Sequence, residues 1–485
     1  MRFGSLLLIL AAAVPASADR LVRIFDVSPG TLDVLAADGM DIAAANAREG
    51  WIDVCLPDRE TGRAAFYSGR YDVLPVEWGM LTDENRGDAG AYYSWEENNA
   101  FWATLSAEHS DLVDTPVSIG TSVQGRDIMM IRMSSSVGGA YKPAMYFTAL
   151  THAREPGGNA CLIDFADWLA TNYDSDTMAT WILDNTQVYF VPIVNPDSYI
   201  LNCNPMGGNV RKNQSSPDGV DLNRNYPYQW GYDDEGSSPD PYDETYRGPS
   251  AGSEPETQAV MNLIDSIDPV GGIHYHTYGG YLLRPYGYNN SNTPDEATYA
   301  AWSAAMTEYN GYAAGQCGDV LGYNANGDAV DWTYWNGGGH PRCMALTVEC
   351  DEDGFWGNQS NPSGLAAMEE ACRYMNIWIC MMAPGFTGIG EQEGAPVSGG
   401  LSVGPVWPNP ASVSASASVT LVSQGVVDLR VLDLAGRVVS EMPGMSLQEG
   451  ASQVSIPVDG LPAGVYTLEV TGQGFGATSR FAVLR

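Results

Sequence analysis

In the stretch Thr151-His152-Ala153-Arg154-Glu155 a histidine and a carboxylate stand three residues apart, directly after an apolar run. That pair can supply two ligands to a catalytic zinc ion, which usually takes three from the protein and keeps a fourth position open. Two histidines and one glutamate form one of the known sets. A second histidine must then come from elsewhere. Of His109, His274, His276 and His340, only His274 and His276 lie in a segment that reads as a core strand. Side chains alternate along a strand, so both point to one face, and the pattern alone does not choose between them.

The elements that must position these residues can be read around them. Ala144–Leu150 reads as a buried strand, and Leu162, Phe165 and Leu169 recur at helical spacing, so His152 and Glu155 fall between a strand's C-terminal end and a helix. Further strands are expected at Val188–Val194, Val270–His276 and Met344–Glu349. One helix is expected to open at Ser253, with Glu256 completing a capping box. Another runs from about Leu365 to Cys380. Repeated strand and helix over 91–385 predicts an α/β fold, a mixed and mostly parallel sheet with helices on both faces. Its ligand site would lie off the strands' C-terminal ends.

A chain of 485 residues with 44% apolar composition is expected to form two or three domains. Residues 1–18 have the layout of a secretory signal: Met1-Arg2, an apolar stretch from Leu6 to Val14, then Ala16-Ser17-Ala18. Residues 19–90 read as a small α+β module, with strand alternation at Val22 and Ile24 and at Ile52, Val54 and Leu56, and a short helix around Leu32 to Leu35. The polar stretch 81–88 is a plausible cleavage site. Residues 386–404 read as a linker, and 405–485 as a small β-sandwich of immunoglobulin-like type, from the alternation of Val427, Leu429 and Val431 and of Tyr466, Leu468 and Val470.

Against 23 Lys and Arg stand 59 Asp and Glu, a formal charge of −36 that would repel nucleic acid and anionic membrane surfaces. Neither is an expected partner, and no apolar run reaches the roughly 18 residues of a membrane span. The eight cysteines contain no CxxC pair, and in an exported chain they could form disulfides whose connectivity the sequence does not give.

His276 heads the run His276-Thr277-Tyr278-Gly279-Gly280-Tyr281-Leu282-Leu283-Arg284-Pro285-Tyr286-Gly287-Tyr288. With Arg211-Lys212-Asn213, Gly219-Val220-Asp221-Leu222-Asn223-Arg224-Asn225, Tyr323-Asn324-Ala325-Asn326-Gly327 followed by Asp331-Trp332, and Thr347-Val348-Glu349, it makes residues 91–385 resemble the zinc metallocarboxypeptidases of the A, B and T types. The resemblance implies one Zn2+ held by His152, Glu155 and His276, and a peptide or protein C-terminus as substrate. It implies that Glu349 takes a proton from a water acidified by zinc and passes it to the leaving amine. Arg211 would face the developing oxyanion. Asn223, Arg224 and Tyr323 would hold the C-terminal carboxylate, with Arg154 and Tyr278 lining the next subsites.

By the same resemblance Val330 floors the specificity pocket, which favours apolar and aromatic residues, and Asp328 two residues away could add acceptance of Arg or Lys. Asp221 would accept the proton on the far nitrogen of His152; an ordinary turn aspartate is the competing reading. His274 is expected to be a satisfied strand histidine, and His109 and His340 loop or surface residues.

Residues 19–90 resemble the family's propeptides in layout. Pro408-Asn409-Pro410, Asp433-Leu434-Ala435-Gly436-Arg437 and Ala463-Gly464-Val465-Tyr466 resemble the sorting domains of type IX secretion cargo, which implies a secreted or cell-surface protein that meets secretion machinery. A plain immunoglobulin-like accessory domain is the alternative there. For the whole chain the alternatives are a peptidase of cell-wall peptides and a non-catalytic binder of peptide C-termini.

Overall fold

The computed structural model describes residues 19–74, 92–385 and 401–483, apart from short internal stretches that include 204–208 and 336–342. The signal at 1–18, the polar stretch 81–88, most of the 386–404 linker and His340 lie outside the described residues. The chain divides into two compact units after Val76.

The first unit is an antiparallel sheet of β1 (Asp19–Phe25), β2 (Asp41–Asn46), β3 (Trp51–Pro57) and β4 (Tyr71–Val73), in the order β2-β3-β1-β4, with helix α1 at Thr31–Ala37. Strand β3 buries Asp53 as well as its apolar residues, and Arg23 on β1 makes two 2.8 Å bonds to that carboxylate.

The second unit contains the expected α/β fold. In chain order its elements are α2 (Trp95–Glu108), β5 (Val117–Thr121), β6 (Asp127–Met133), β7 (Ala144–Thr148), α3 (Gly157–Asn172), α4 (Thr177–Asn185), β8 (Gln187–Val191) and α5 (Pro196–Asn202). There follow α6 (Pro255–Ile267), β9 (Gly271–Thr277), β10 (Tyr281–Leu283), α7 (Glu296–Met306), β11 (Ala313–Gly315), α8 (Cys317–Val320), α9 (Ala329–Tyr334), β12 (Met344–Cys350) and α10 (Pro362–Met382). The eight strands form one sheet in the order β11-β10-β12-β9-β7-β8-β6-β5. Its centre, β12-β9-β7-β8, is parallel, and β10, β6 and β5 pair antiparallel toward the margins. Strands β7 and β9 are buried along their whole length, which is why they read as continuous runs and not as alternation.

Two local expectations fail. Helix α6 begins at Pro255, whose fixed φ suits a first helical position, and no side chain caps it. Ser253 Oγ instead donates to Glu254 Oε1 at 2.6 Å, while Glu256 accepts the Val123 N–H at 2.9 Å and an Asn213 amide hydrogen at 3.1 Å. Tertiary partners outbid the local capping box. Strands β7 and β8 end two and three residues early, because Leu150 turns to a φ of 53° and the N–H groups of Val194 and Asn195 bond the carbonyls of Ala149 and Leu150.

Residues 401–483 form two sheets, β13 (Leu401–Trp407), β14 (Ala415–Leu421) and β17 (Gly450–Ile456) in the order β13-β14-β17, and β15 (Gly425–Leu432), β16 (Val438–Leu447), β18 (Gly464–Gly472) and β19 (Phe475–Val483) in the order β16-β15-β18-β19. Val427, Leu429, Val431, Leu468 and Val470 fill the core between them. The first strand begins at Leu401, inside the expected 386–404 linker, because Leu401 packs into that core. All eight cysteines are free thiols, so the structure contains none of the disulfides their number allowed.

Candidate metal centre and substrate pocket

The turn after β7 brings His152 and Glu155 to the sheet's C-terminal edge, where both are buried. Helix α3 then starts at Gly157-Gly158. A Cβ on Gly158 would stand 2.6 Å from the Cβ of Tyr275, so the glycine lets α3 press against β9. Strand β9 lies beside β7 and pairs with β12 in a register that sets His276 opposite Glu349.

Glu155 Oε1 lies 2.8 Å from His152 Nδ1, Glu155 Oε2 lies 3.0 Å from His276 Nδ1, and the two Nδ1 atoms are 3.0 Å apart. His152 Nε2 donates to Asp221 Oδ1 at 3.0 Å, which leaves the Nδ1 lone pair facing inward. Lone-pair atoms this close repel unless a proton or cation sits among them. The donor set suits zinc, and the three residues fit the ion expected from the His152–Glu155 spacing and from the family resemblance that named His276.

Burial pushes the Glu155 carboxyl up, but His152 and His276 outweigh it and hold it below the usual range. Asp221 behaves alike: burial opposes ionisation, while Arg211, whose Nη2 donates to it at 2.8 Å, and His152 hold it well below. Burial and the Glu155 carboxylate push Glu349 up in the metal-free protein; a cation between them acts in the opposite direction. His274 shares the face of His276 but is fully engaged, with Nε2 2.8 Å from Tyr146 Oη and Nδ1 2.9 Å from Thr148 Oγ1. Burial, joined by His276, pushes its pKa down to about 3, so the ring is neutral.

The loop carrying Arg211 is fastened to the His152 turn through Ala153 N–H, which donates to Arg211 O at 3.2 Å. Asp221 caps the short turn Leu222–Arg224 by accepting the Asn223 N–H at 2.9 Å, so it is at once a turn aspartate and the partner of His152. Arg224 is buried, donating to Asn223 O at 2.9 Å, and Asn223 Oδ1 accepts the Ala329 N–H at 2.9 Å. Tyr323 packs against Tyr281, Leu283, Cys317 and Ala325. Burial and then Glu349 push its hydroxyl up, with Arg224 opposing, so the tyrosine sits within the field of both groups. Arg154 and Tyr278 form a separate group around Phe355, the guanidinium 4.4 Å from the ring centroid and the phenol edge-on at 5.1 Å. Half-buried His109 follows the last residue of α2.

Val330 is buried on α9. Asp328 caps that helix through a 2.9 Å bond from the Asp331 N–H, and burial pushes its carboxyl up to about 7, with Arg224 opposing. Asp331 accepts the N–H groups of Gly287 and Tyr288, and burial and Asp328 push it well up. Sequence reasoning gave no role to Asp331 or to Cys317, whose thiol is raised by burial and then by these two carboxylates. Two aspartates at a spacing of three in a helix's first turn could have flagged Asp331; nothing local marks Cys317.

A mixed α/β sheet with a buried pair of histidines and a carboxylate at its C-terminal edge defines the class of a zinc hydrolase. The zinc carboxypeptidase family model matches residues 98–368, and the model of a secretion system C-terminal sorting domain matches 405–483. Carboxypeptidase A1 of Rattus norvegicus is 33% identical over 293 residues, 55% of this chain and 68% of that protein. Carboxypeptidase A2 of Mus musculus is 34% identical over 256 residues, 50% of this chain and 60% of that protein. Among solved structures, thrombin activatable fibrinolysis inhibitor superposes with a TM-score of 0.64 at 21% identity, covering 76% of this chain and 98% of that one. The Carboxypeptidase A of Helicoverpa armigera gives 0.63, also at 21% identity and with the same coverage of each chain. The chain belongs to the zinc carboxypeptidase family, with a secretion sorting domain at its C-terminal end.

Proposed function

We propose that the protein hydrolyses the C-terminal peptide bond of peptides and proteins, using one zinc ion held by His152, Glu155 and His276. The observation that carries this reading is the convergence of those three residues beside Glu349, with two arginines, the partly buried Arg211 and the buried Arg224, in the same neighbourhood. Zinc bound there supplies Lewis acidity toward water and the scissile carbonyl. Glu349 accepts the water's proton and returns it to the leaving amine. Arg211, held by Asp221, offers its remaining N–H groups to the oxyanion. Among the described residues Arg224 Nε has no hydrogen-bond partner, which suits a guanidinium that receives a substrate carboxylate, with Asn223 and Tyr323 beside it. Arg154 and Tyr278 line the subsites beyond.

An apolar floor at Val330 favours Leu, Phe or Tyr, whose burial stabilises by about 1.5–3 kcal/mol. Asp328, once ionised, offsets part of the desolvation of a substrate Arg or Lys. Residues 1–18 serve as an export signal, 19–90 as a propeptide removed on maturation, and 405–485 as the sorting domain for secretion or cell-surface display. The test is zinc analysis alongside hydrolysis of paired peptides with free and with amidated C-termini. Only the free peptides should be cut; equal hydrolysis of both would overturn the exopeptidase reading.

A further inference from the structure

Behind the metal centre a second set of ligand atoms converges. Cys161 lies in α3, Cys372 in α10, and Cys350 ends β12 one residue after Glu349. All three are fully buried, and their Sγ atoms lie within 4.8 Å of one another. Among the described residues, this group and the His152, Glu155, His276 group are the two that bring three such side chains so close. Nothing local assembles it: the packing of α3 and α10 against the sheet does.

We propose that Cys161, Cys350 and Cys372 form a second metal site, structural in role, for one thiophilic d10 cation such as Zn2+. Zn–S bonds of about 2.3 Å in tetrahedral geometry set sulfurs roughly 3.8 Å apart, inside the 4.8 Å within which the three lie, and the Thr277 hydroxyl, 3.8 Å from Cys350 Sγ, offers the fourth donor. Thiolate sulfur selects soft or borderline ions such as Zn2+ and Cu+ over Mg2+ or Ca2+. Loading replaces three S–H bonds with three metal–sulfur bonds and releases three protons, with no change of oxidation state. The negative charge that remains is met in part by the phenol of Tyr312 beside Cys372, and Cys161 lies one turn inside the N-terminus of α3.

Three thiols cannot all be used by one disulfide, and none is disulfide-bonded in the structure. Since the sulfurs have no solvent access, the site is closed and filled during folding, as structural sites are. The bound ion would clamp α3, β12 and α10 directly behind the catalytic residues. In the metal-free protein Cys350 Sγ donates to the backbone oxygen of His276 at 3.3 Å, a bond that loading gives up together with the thiol proton.

The experiment uses the full chain produced with zinc, as wild type and as His276→Ala, which disables the first site. The expected result is two zinc equivalents in wild type and one in His276→Ala, with sulfur neighbours in the zinc X-ray absorption spectrum of both. Adding Cys161→Ser and Cys372→Ser to His276→Ala should remove the remaining equivalent. Should these variants fail to fold, the wild-type stoichiometry and spectrum decide alone. A metal-free His276→Ala protein, or wild type with one equivalent and no sulfur neighbours, overturns the proposal. Thiol titration of the denatured protein then names the replacement: eight reactive thiols mean a merely packed cluster, six a disulfide. A wild-type protein with one sulfur-bound equivalent would keep this site while removing the catalytic one.

Discussion

The candidate metal centre and the proposed specificity pocket each bury two carboxylates, and they treat them in opposite ways. Glu155 and Asp221 lie against His152, His276 and Arg211, and these neighbours overcome burial to keep both carboxylates ionised. Burial raises both Asp328 and Asp331; Arg224 opposes it in part at Asp328, and the Asp328 carboxylate adds to it at Asp331, so their protons are held more tightly. Burial is common to both places; at the metal centre the opposite charges overcome it, and at the pocket the one opposite charge, Arg224 beside Asp328, does not. The first arrangement is a standing anionic cup for a cation. The second gains its charge only at higher pH.

The sharpest break in this comparison comes from the two histidines on β9. His276→Ala should abolish bound zinc at the first site and all turnover, whereas His274→Ala should keep zinc and lose only stability, about 1–3 kcal/mol for the buried hydroxyls of Tyr146 and Thr148 left without their partner. Metal analysis and thermal denaturation read the two effects, and zinc loss in His274→Ala alone would reverse the assignment. Glu349→Gln should lower kcat by about 10²–10⁴-fold with zinc content unchanged, since an amide cannot take the proton. Retained turnover would move the base elsewhere.

A smaller change is expected from Asp221→Ala, which should weaken zinc binding by about 10–100-fold, as loss of a histidine's outer hydrogen-bond partner does. Competition against a chelator measures it; unchanged affinity would leave Asp221 only its role as a turn cap. The smallest effect belongs to the pocket. Because the Asp328 carboxyl titrates at about 7, cleavage of Arg or Lys relative to Leu or Phe should rise several-fold between pH 6 and 8, and Asp328→Asn should flatten that rise. The folded-state value is raised, so the stability linked to this group is present below its ordinary value of about 3.9 and lost as pH rises through 7. In denaturation series at several pH values, the Asn variant should lose less stability over that range than wild type. A flat specificity ratio in wild type would show that Asp328 does not reach the substrate.

The sequence by itself determined what depends on neighbours along the chain. Continuous apolar runs placed the central strands, period 3.6 the helix after Glu155 and period two the strands of the sandwich, because burial of both faces or of one imposes those patterns wherever the element lies. His152 and Glu155 were legible as a pair because one turn holds both. What depended on partners far along the chain was decided only by the tertiary structure. His274 and His276 have the same strand face, and the choice between them lies in Tyr146 and Thr148, over 120 residues away, which occupy one ring and leave the other facing His152. Glu256 fits a capping box by spacing, yet Val123 and Asn213 claim its carboxylate. The proton on Asp328 and the meeting of Cys161, Cys350 and Cys372 are likewise invisible in one dimension: each depends on how much water packing removes and which groups it leaves in contact.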